Sequence, residues 1–193
     1  MPLNIPNLLT YLRILLVPVF TAVFYLPGTW LAPHWVNTLG SITFILAALT
    51  DWLDGYLARK LNQMSAFGAF LDPVADKLMV AAALIILVEI NRVGAFIALI
   101  IIGREIAISA LREWMAQIGK RKSVAVSFIG KIKTASQMVA ISLLLYHDPI
   151  IGGIKAQLLG TLLIYVAAIL TLWSMIYYLR IAMPELVSRQ SAG

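Results

Sequence analysis

Six long apolar stretches separated by short polar breaks dominate the sequence, running over approximately 8–26, 36–58, 74–90, 94–115, 132–147 and 156–181. Within them hydrophobic residues follow one another without alternation, as in Ala81-Ala82-Ala83-Leu84-Ile85-Ile86-Leu87-Val88. A barrel strand would alternate polar and apolar positions, so this pattern predicts helices. A helix needs about 20 apolar residues to cross the hydrocarbon core of a bilayer. Only helices and closed barrels satisfy their backbone groups there. The expected fold is all-α and integral to a membrane, with six transmembrane helices in a single domain over 1–193. Breaks at Pro27-Gly28, Asn62–Ser65, Asn91–Gly94, Gly119–Ser123 and His147–Gly153 have turn or loop composition. Neither an internal repeat nor a second domain is visible.

Composition strengthens this reading. Of 193 residues, 61% are hydrophobic and 12% charged, whereas soluble domains are about 45–50% apolar and about 25% charged. The chain has no cysteine, which excludes a disulfide framework and thiolate chemistry. Net charge is +6, yet no basic run carries interleaved aromatics for stacking bases, so a bilayer rather than nucleic acid is the expected partner. Met1-Pro2-Leu3-Asn4 has no positive region ahead of the apolar stretch, so the first span is expected to stay rather than be removed as a signal peptide.

Charge also orients the spans. Arg59, Lys60, Arg112, Lys120, Arg121, Lys122, Lys131, Lys133, Arg180 and Arg189 fall on one side, and Arg92 and Lys155 on the other. The positive-inside tendency then predicts cytoplasmic termini and a polar cavity facing the cytoplasm. Trp30, Trp35, Trp114, Tyr177 and Tyr178 read as interface anchors, His34 and His147 as loop residues, and Glu89 and Glu113 as solvated.

The candidate chemistry lies where the second span ends and the third begins. Asp51 and Asp54 are i,i+3 neighbours on a helix, and Asp72 and Asp76 are i,i+4 neighbours. Antiparallel packing of the two helices would gather all four carboxylates beside lipid, where they repel one another and are costly to desolvate. Positive charge must sit among them. Hard oxygen ligands without His or Cys favour magnesium, manganese or calcium over zinc. Gly55 and Ala58 leave the same face bare for a flat group, and Arg59 offers a fork for phosphate oxygens. Asp72-Pro73 predicts an N-cap and first turn for the third helix.

The pattern Asp51-x-x-Asp54-Gly55-x-x-Ala58-Arg59, eight residues, Gly68-x-x-x-Asp72-x-x-x-Asp76 resembles the signature of the CDP-alcohol phosphotransferases at every position. The resemblance implies two magnesium or manganese ions held by Asp51, Asp54, Asp72 and Asp76. It implies that Asp76 takes the acceptor hydroxyl's proton, and that Asp54, Gly55, Ala58, Arg59 and Gly68 cradle the CDP donor. It also implies a homodimer in the bacterial cytoplasmic membrane.

More intramembrane charge is present than metal binding needs. Arg104-Glu105 falls near the middle of the fourth span, where a charge costs at least about 2.5–3.5 kcal/mol unless it faces a polar cavity. Arg112 shares a helix face with Glu105, and Lys131, Lys133, Thr134 and Gln137 open the fifth span. Arg104, Arg112, Lys131 and Lys133 are therefore candidates for a second anion site, weighed against an Arg104–Glu105 ion pair and against simple anchoring by Arg112 and the Lys120–Lys122 triplet. Asn4–Arg13, Gly103-Arg104-Glu105, Ala110–Trp114 and Gly130–Thr134 resemble the bacterial phosphatidylglycerophosphate synthase branch of the family. That implies CDP-diacylglycerol as donor and sn-glycerol 3-phosphate as acceptor. An acceptor such as inositol phosphate would also need basic residues. A membrane prenyltransferase lacks this spacing, and a divalent-cation transporter is the reading from another class, although transporters keep acidic residues near the midplane.

Overall fold

The computed structural model describes residues 5–61, 66–119, 128–150 and 155–190, with the side chains at 5–6, 58–59, 66–67, 69, 128–131 and 185–190 outside that set. Lys120, Arg121 and Lys122 lie outside the described residues. The chain forms α1 (Ile5–Phe24), α2 (Pro33–Lys60), α3 (Ala66–Glu89), α4 (Ala95–Gln117), α5 (Phe128–Tyr146) and α6 (Ala156–Gln190). Among the described residues there is no strand, only an isolated bridge between Pro149 and Lys155.

Three helices contain segments long and apolar enough to cross a bilayer by themselves: Asn7–Phe24, Pro33–Leu57 and Ala156–Pro184. Helix α5 has a shorter apolar segment, Ile132–Tyr146. The 24-residue α3 and 23-residue α4 carry Asp72, Asp76, Lys77, Arg104, Glu105 and Arg112. Of these charged residues, Asp76, Lys77, Arg104, Glu105 and Arg112 line the polar site. Helix α6 has 35 residues, about 52 Å at 1.5 Å per residue, so it outreaches a hydrocarbon core about 30 Å thick.

One expected boundary is wrong. Asp72 is not an N-cap, and Pro73 is not in the first turn: α3 begins at Ala66 and carries Pro73 inside it. The apolar run Ala66–Leu71 sustains the helix upstream, and the exposed proline forfeits one backbone bond, to the Ala69 carbonyl, rather than ending it. His34 is likewise in the first turn of α2, bonded to Asp148 at 2.6 Å, not in a loop.

The core is held by α1 packed on α2 and α3, α5 packed on α6, and α4 against α6. Phe20 and Phe44 are fully buried, with ring centroids 6.5 Å apart. Close approach needs small residues: a Cβ on Gly40 would lie 2.3 Å from the Phe24 ring, and one on Gly160 would lie 2.8 Å from Leu144.

The end opposite the aspartates is clamped by polar contacts. Arg92 Nη1 donates to the carbonyls of Leu144 (3.0 Å) and Leu145 (2.8 Å), and Nη2 donates to Asn37 Oδ1 (2.7 Å). These bonds serve the last turn of α5, whose carbonyls lack helical donors. His147 follows with φ 63°, and burial together with the Arg92 guanidinium holds its imidazole below the ordinary range. Tyr25 Oη donates to Glu89 Oε2 at 2.6 Å, and that bond raises the phenol's pKa. Because the chain has no cysteine, single cysteines added beside Lys155 and beside Arg189 report topology cleanly. They are expected to react from opposite faces of sealed vesicles. Labelling of both from one face would contradict six spans with both termini on the same side.

Candidate active site

Asp51 and Asp54 lie in the last turns of α2, and Asp72 and Asp76 in the first half of α3. Helix α1 ties these segments together. Arg13, 1% exposed, donates from Nη1 to Asp51 Oδ1 at 2.5 Å and from Nη2 to Asp54 Oδ2. One turn earlier, Thr10 Oγ1 donates to Asp72 Oδ1 at 2.6 Å. Residues three apart on a helix share a face, so one face of α1 holds carboxylates from both α2 and α3. Asp54 stands in the fields of Asp51 and Asp72. Asp76 stands in those of Asp51 and Arg13 on one side and of Glu105 and Lys77 on the other.

The donor set is carboxylate oxygen throughout, which fits a hard divalent cation. Among the described residues, no three acidic or imidazole groups form a compact ligand cluster. The positive charge that Asp51 and Asp54 demand is met here by Arg13. Of the expected donor cradle, Gly55 adjoins Asp54, and Gly68 is buried on α3. The side chains of Ala58 and Arg59 lie outside the described residues.

On the far side of Asp76 opens a polar cavity of about 380 Å³. It is lined by Lys77 from α3, Arg104, Glu105 and Arg112 from α4, and Lys133 from α5. Arg104 and Lys133 are 6% and 2% exposed. The Arg104–Glu105 ion pair that was the alternative to an anion site exists, with Nη1 to Oε1 at 3.3 Å, and it lies within this cavity. Lys133 Nζ also donates to Glu105 Oε1, and Arg104 Nη2 to Ser174 Oγ at 2.8 Å. The Nε atoms of Arg13, Arg104 and Arg112 are buried without a hydrogen-bond partner among the described residues. Lys131 lies on α5, its side chain outside the described residues. A second cavity of about 300 Å³, mostly apolar, shares Asp76, Lys77, Glu105 and Thr134 with the first as lining residues.

Tyr178 corrects the sequence reading: it is 1% exposed rather than an interface anchor. Its hydroxyl accepts from Arg112 Nη2 at 3.1 Å, and its ring lies 5.1 Å under the same guanidinium. Sequence reasoning also missed Arg13, Lys77 and Ser109. Lys77 Nζ donates to Ser109 Oγ. The signal for Arg13 was available, since an arginine amid Leu12 and Ile14 in an apolar span needs a buried partner. Which partner depends on how α1 packs on α2.

A family model described as CDP-alcohol phosphatidyltransferase matches residues 3–173. Relatives from Escherichia coli (strain K12), Shigella flexneri serotype 5b (strain 8401) and Salmonella typhimurium (strain LT2) are each 50% identical over 191 residues, covering 98% of this chain and the whole of the relative. Each of those proteins bears the name CDP-diacylglycerol–glycerol-3-phosphate 3-phosphatidyltransferase.

Proposed function

The chain belongs to the CDP-alcohol phosphatidyltransferase family, and on that footing we propose that it transfers the phosphatidyl group of CDP-diacylglycerol to sn-glycerol 3-phosphate. The products are phosphatidylglycerol phosphate and CMP. The observation that carries this reading is the junction at Asp76: carboxylates gathered by α1 on one side, a cavity lined by Lys77, Arg104, Arg112 and Lys133 on the other. The half-identical relatives support the same acceptor.

The family is generally divalent-cation dependent, and Asp51, Asp54, Asp72 and Asp76 would hold two magnesium or manganese ions. Held by these carboxylates, such ions would supply positive charge that offsets the charge of the donor's phosphates. The residues of the chain do the rest. Arg59, Gly55, Ala58 and Gly68 cradle the CDP group against α2 and α3. Arg104, Arg112, Lys131 and Lys133 hold the acceptor's phosphate, since guanidinium forks and ammonium groups bind such a dianion without a metal. Asp76 accepts the proton of the acceptor's C1 hydroxyl as its oxygen bonds to the lipid-bearing phosphorus, and the bond from that phosphorus to CMP breaks. The cavity opens to the cytoplasm, both termini lie on that side of the bacterial inner membrane, and the single domain over 1–193 works as a homodimer.

Arg112→Gln and Lys133→Gln are expected to raise the acceptor's KM by about ten- to a hundredfold, the worth of a charge-assisted hydrogen bond. The donor's KM stays nearly unchanged. Steady-state kinetics with each substrate varied in turn decides the matter. Variants that disturb only the donor would assign these residues to CDP-diacylglycerol or to the membrane surface.

A further inference from the structure

Glu105 is an anion among the basic side chains Lys77, Arg104, Arg112 and Lys133, which call for an anionic guest. A carboxylate there repels a bound phosphate and engages cations the phosphate needs. A pocket built for phosphate alone would be better served by a neutral side chain. Two observations define what Glu105 has to offer. It lines both the polar cavity and the apolar one, as Asp76 does, so the two carboxylates face the same junction. Among the described residues, its contacts with Arg104 and Lys133 both fall on Oε1, and none falls on Oε2. An ionised carboxylate only accepts hydrogen bonds, so this oxygen, on a side chain 27% exposed, is available to a hydroxyl donor of a bound guest.

We infer that Glu105 is a specificity-determining residue that accepts a hydrogen bond from the second hydroxyl of the acceptor. This rests on the acceptor reading above. With the phosphate at C3 held by the cavity's cations and the C1 hydroxyl at Asp76, the C2 hydroxyl lies between them and meets Glu105 Oε2. Lys133, already bonded to Oε1, then bridges the carboxylate and the phosphate. Glu105 thereby selects a polyol phosphate over a simple alkyl one, because a polar group left without its partner penalises the wrong substrate.

The test compares sn-glycerol 3-phosphate with 3-hydroxypropyl phosphate, which keeps the chain length, phosphate and terminal hydroxyl but lacks the C2 hydroxyl. The unsubstituted protein is expected to prefer the former in kcat/KM by about ten- to a hundredfold, the range for a hydrogen bond to a charged group. In Glu105→Ala the preference falls to about threefold or less, through loss with glycerol 3-phosphate, and Glu105→Gln falls between. An equal drop on both acceptors would mean that Glu105 only holds Arg104 and Lys133, and the inference would fail. Absence of any preference in the unsubstituted protein would overturn it too, whether or not the variants fold. If neither phosphate is used while another alcohol is, the acceptor reading itself falls and takes this one with it.

Discussion

Asp76→Asn is expected to insert and to bind CDP-diacylglycerol, yet to release CMP about 10²–10⁴ times more slowly, the usual contribution of a positioned general base. The substitution keeps the side chain's size and removes its charge. Asp76 is suited to the role by position: it is the carboxylate that adjoins both the aspartate cluster and the cavity assigned to the acceptor. Rapid-quench measurement of CMP under saturating donor and acceptor reads the chemical step. A variant whose rate recovers at high magnesium would show Asp76 acting mainly as a metal ligand. Near-normal turnover at ordinary magnesium would remove it from the mechanism altogether.

Arg13→Met is expected to cost stability in the metal-free protein. Removing one partner of a buried ion pair leaves an uncompensated charge, typically at about 3–5 kcal/mol. Asp54 is 4% exposed and bears most of that loss, whereas Asp51, at 44%, is close enough to solvent to contribute little. Arg13→Lys should recover only part of the loss, because one ammonium cannot reproduce a fork that reaches two carboxylates. Saturating magnesium should narrow the gap between Arg13→Met and the unsubstituted protein, since cations at the same aspartates supply the missing charge. Thermal unfolding in detergent, with chelator and with magnesium, gives all these comparisons. Equal melting temperatures in chelator would mean that the Arg13 pairs contribute nothing.

The six helices and the aspartate pairs were legible because both rest on local pattern. Continuous apolar runs demand helices in lipid, and three- and four-residue spacings place side chains on one face whatever the helix packs against. Arg104, Arg112 and Lys133 were legible as a group because charge inside an apolar span needs a polar cavity. The start of α3 was misread because Asp72-Pro73 carries a strong local cap signal, which the apolar run from Ala66 overrides. Tyr178 and Arg13 were hidden for a different reason. Their partners come from other helices, 66 residues away for Tyr178 and 38 and 41 for Arg13, and only packing decides which faces meet. Glu105 looked like a simple ion-pair partner for Arg104, and its place between two cavities is a tertiary fact.

The lipid product itself decides which reaction the protein carries out. Purified protein is supplied with CDP-diacylglycerol and magnesium, and separately with sn-glycerol 3-phosphate, inositol phosphate or free glycerol, and the lipid fraction is analysed by mass spectrometry alongside CMP release. Glycerol 3-phosphate is expected to give phosphatidylglycerol phosphate and an equimolar amount of CMP, and the other two acceptors little product. A product formed equally well from free glycerol, or no CMP with any acceptor, would contradict the proposed reaction.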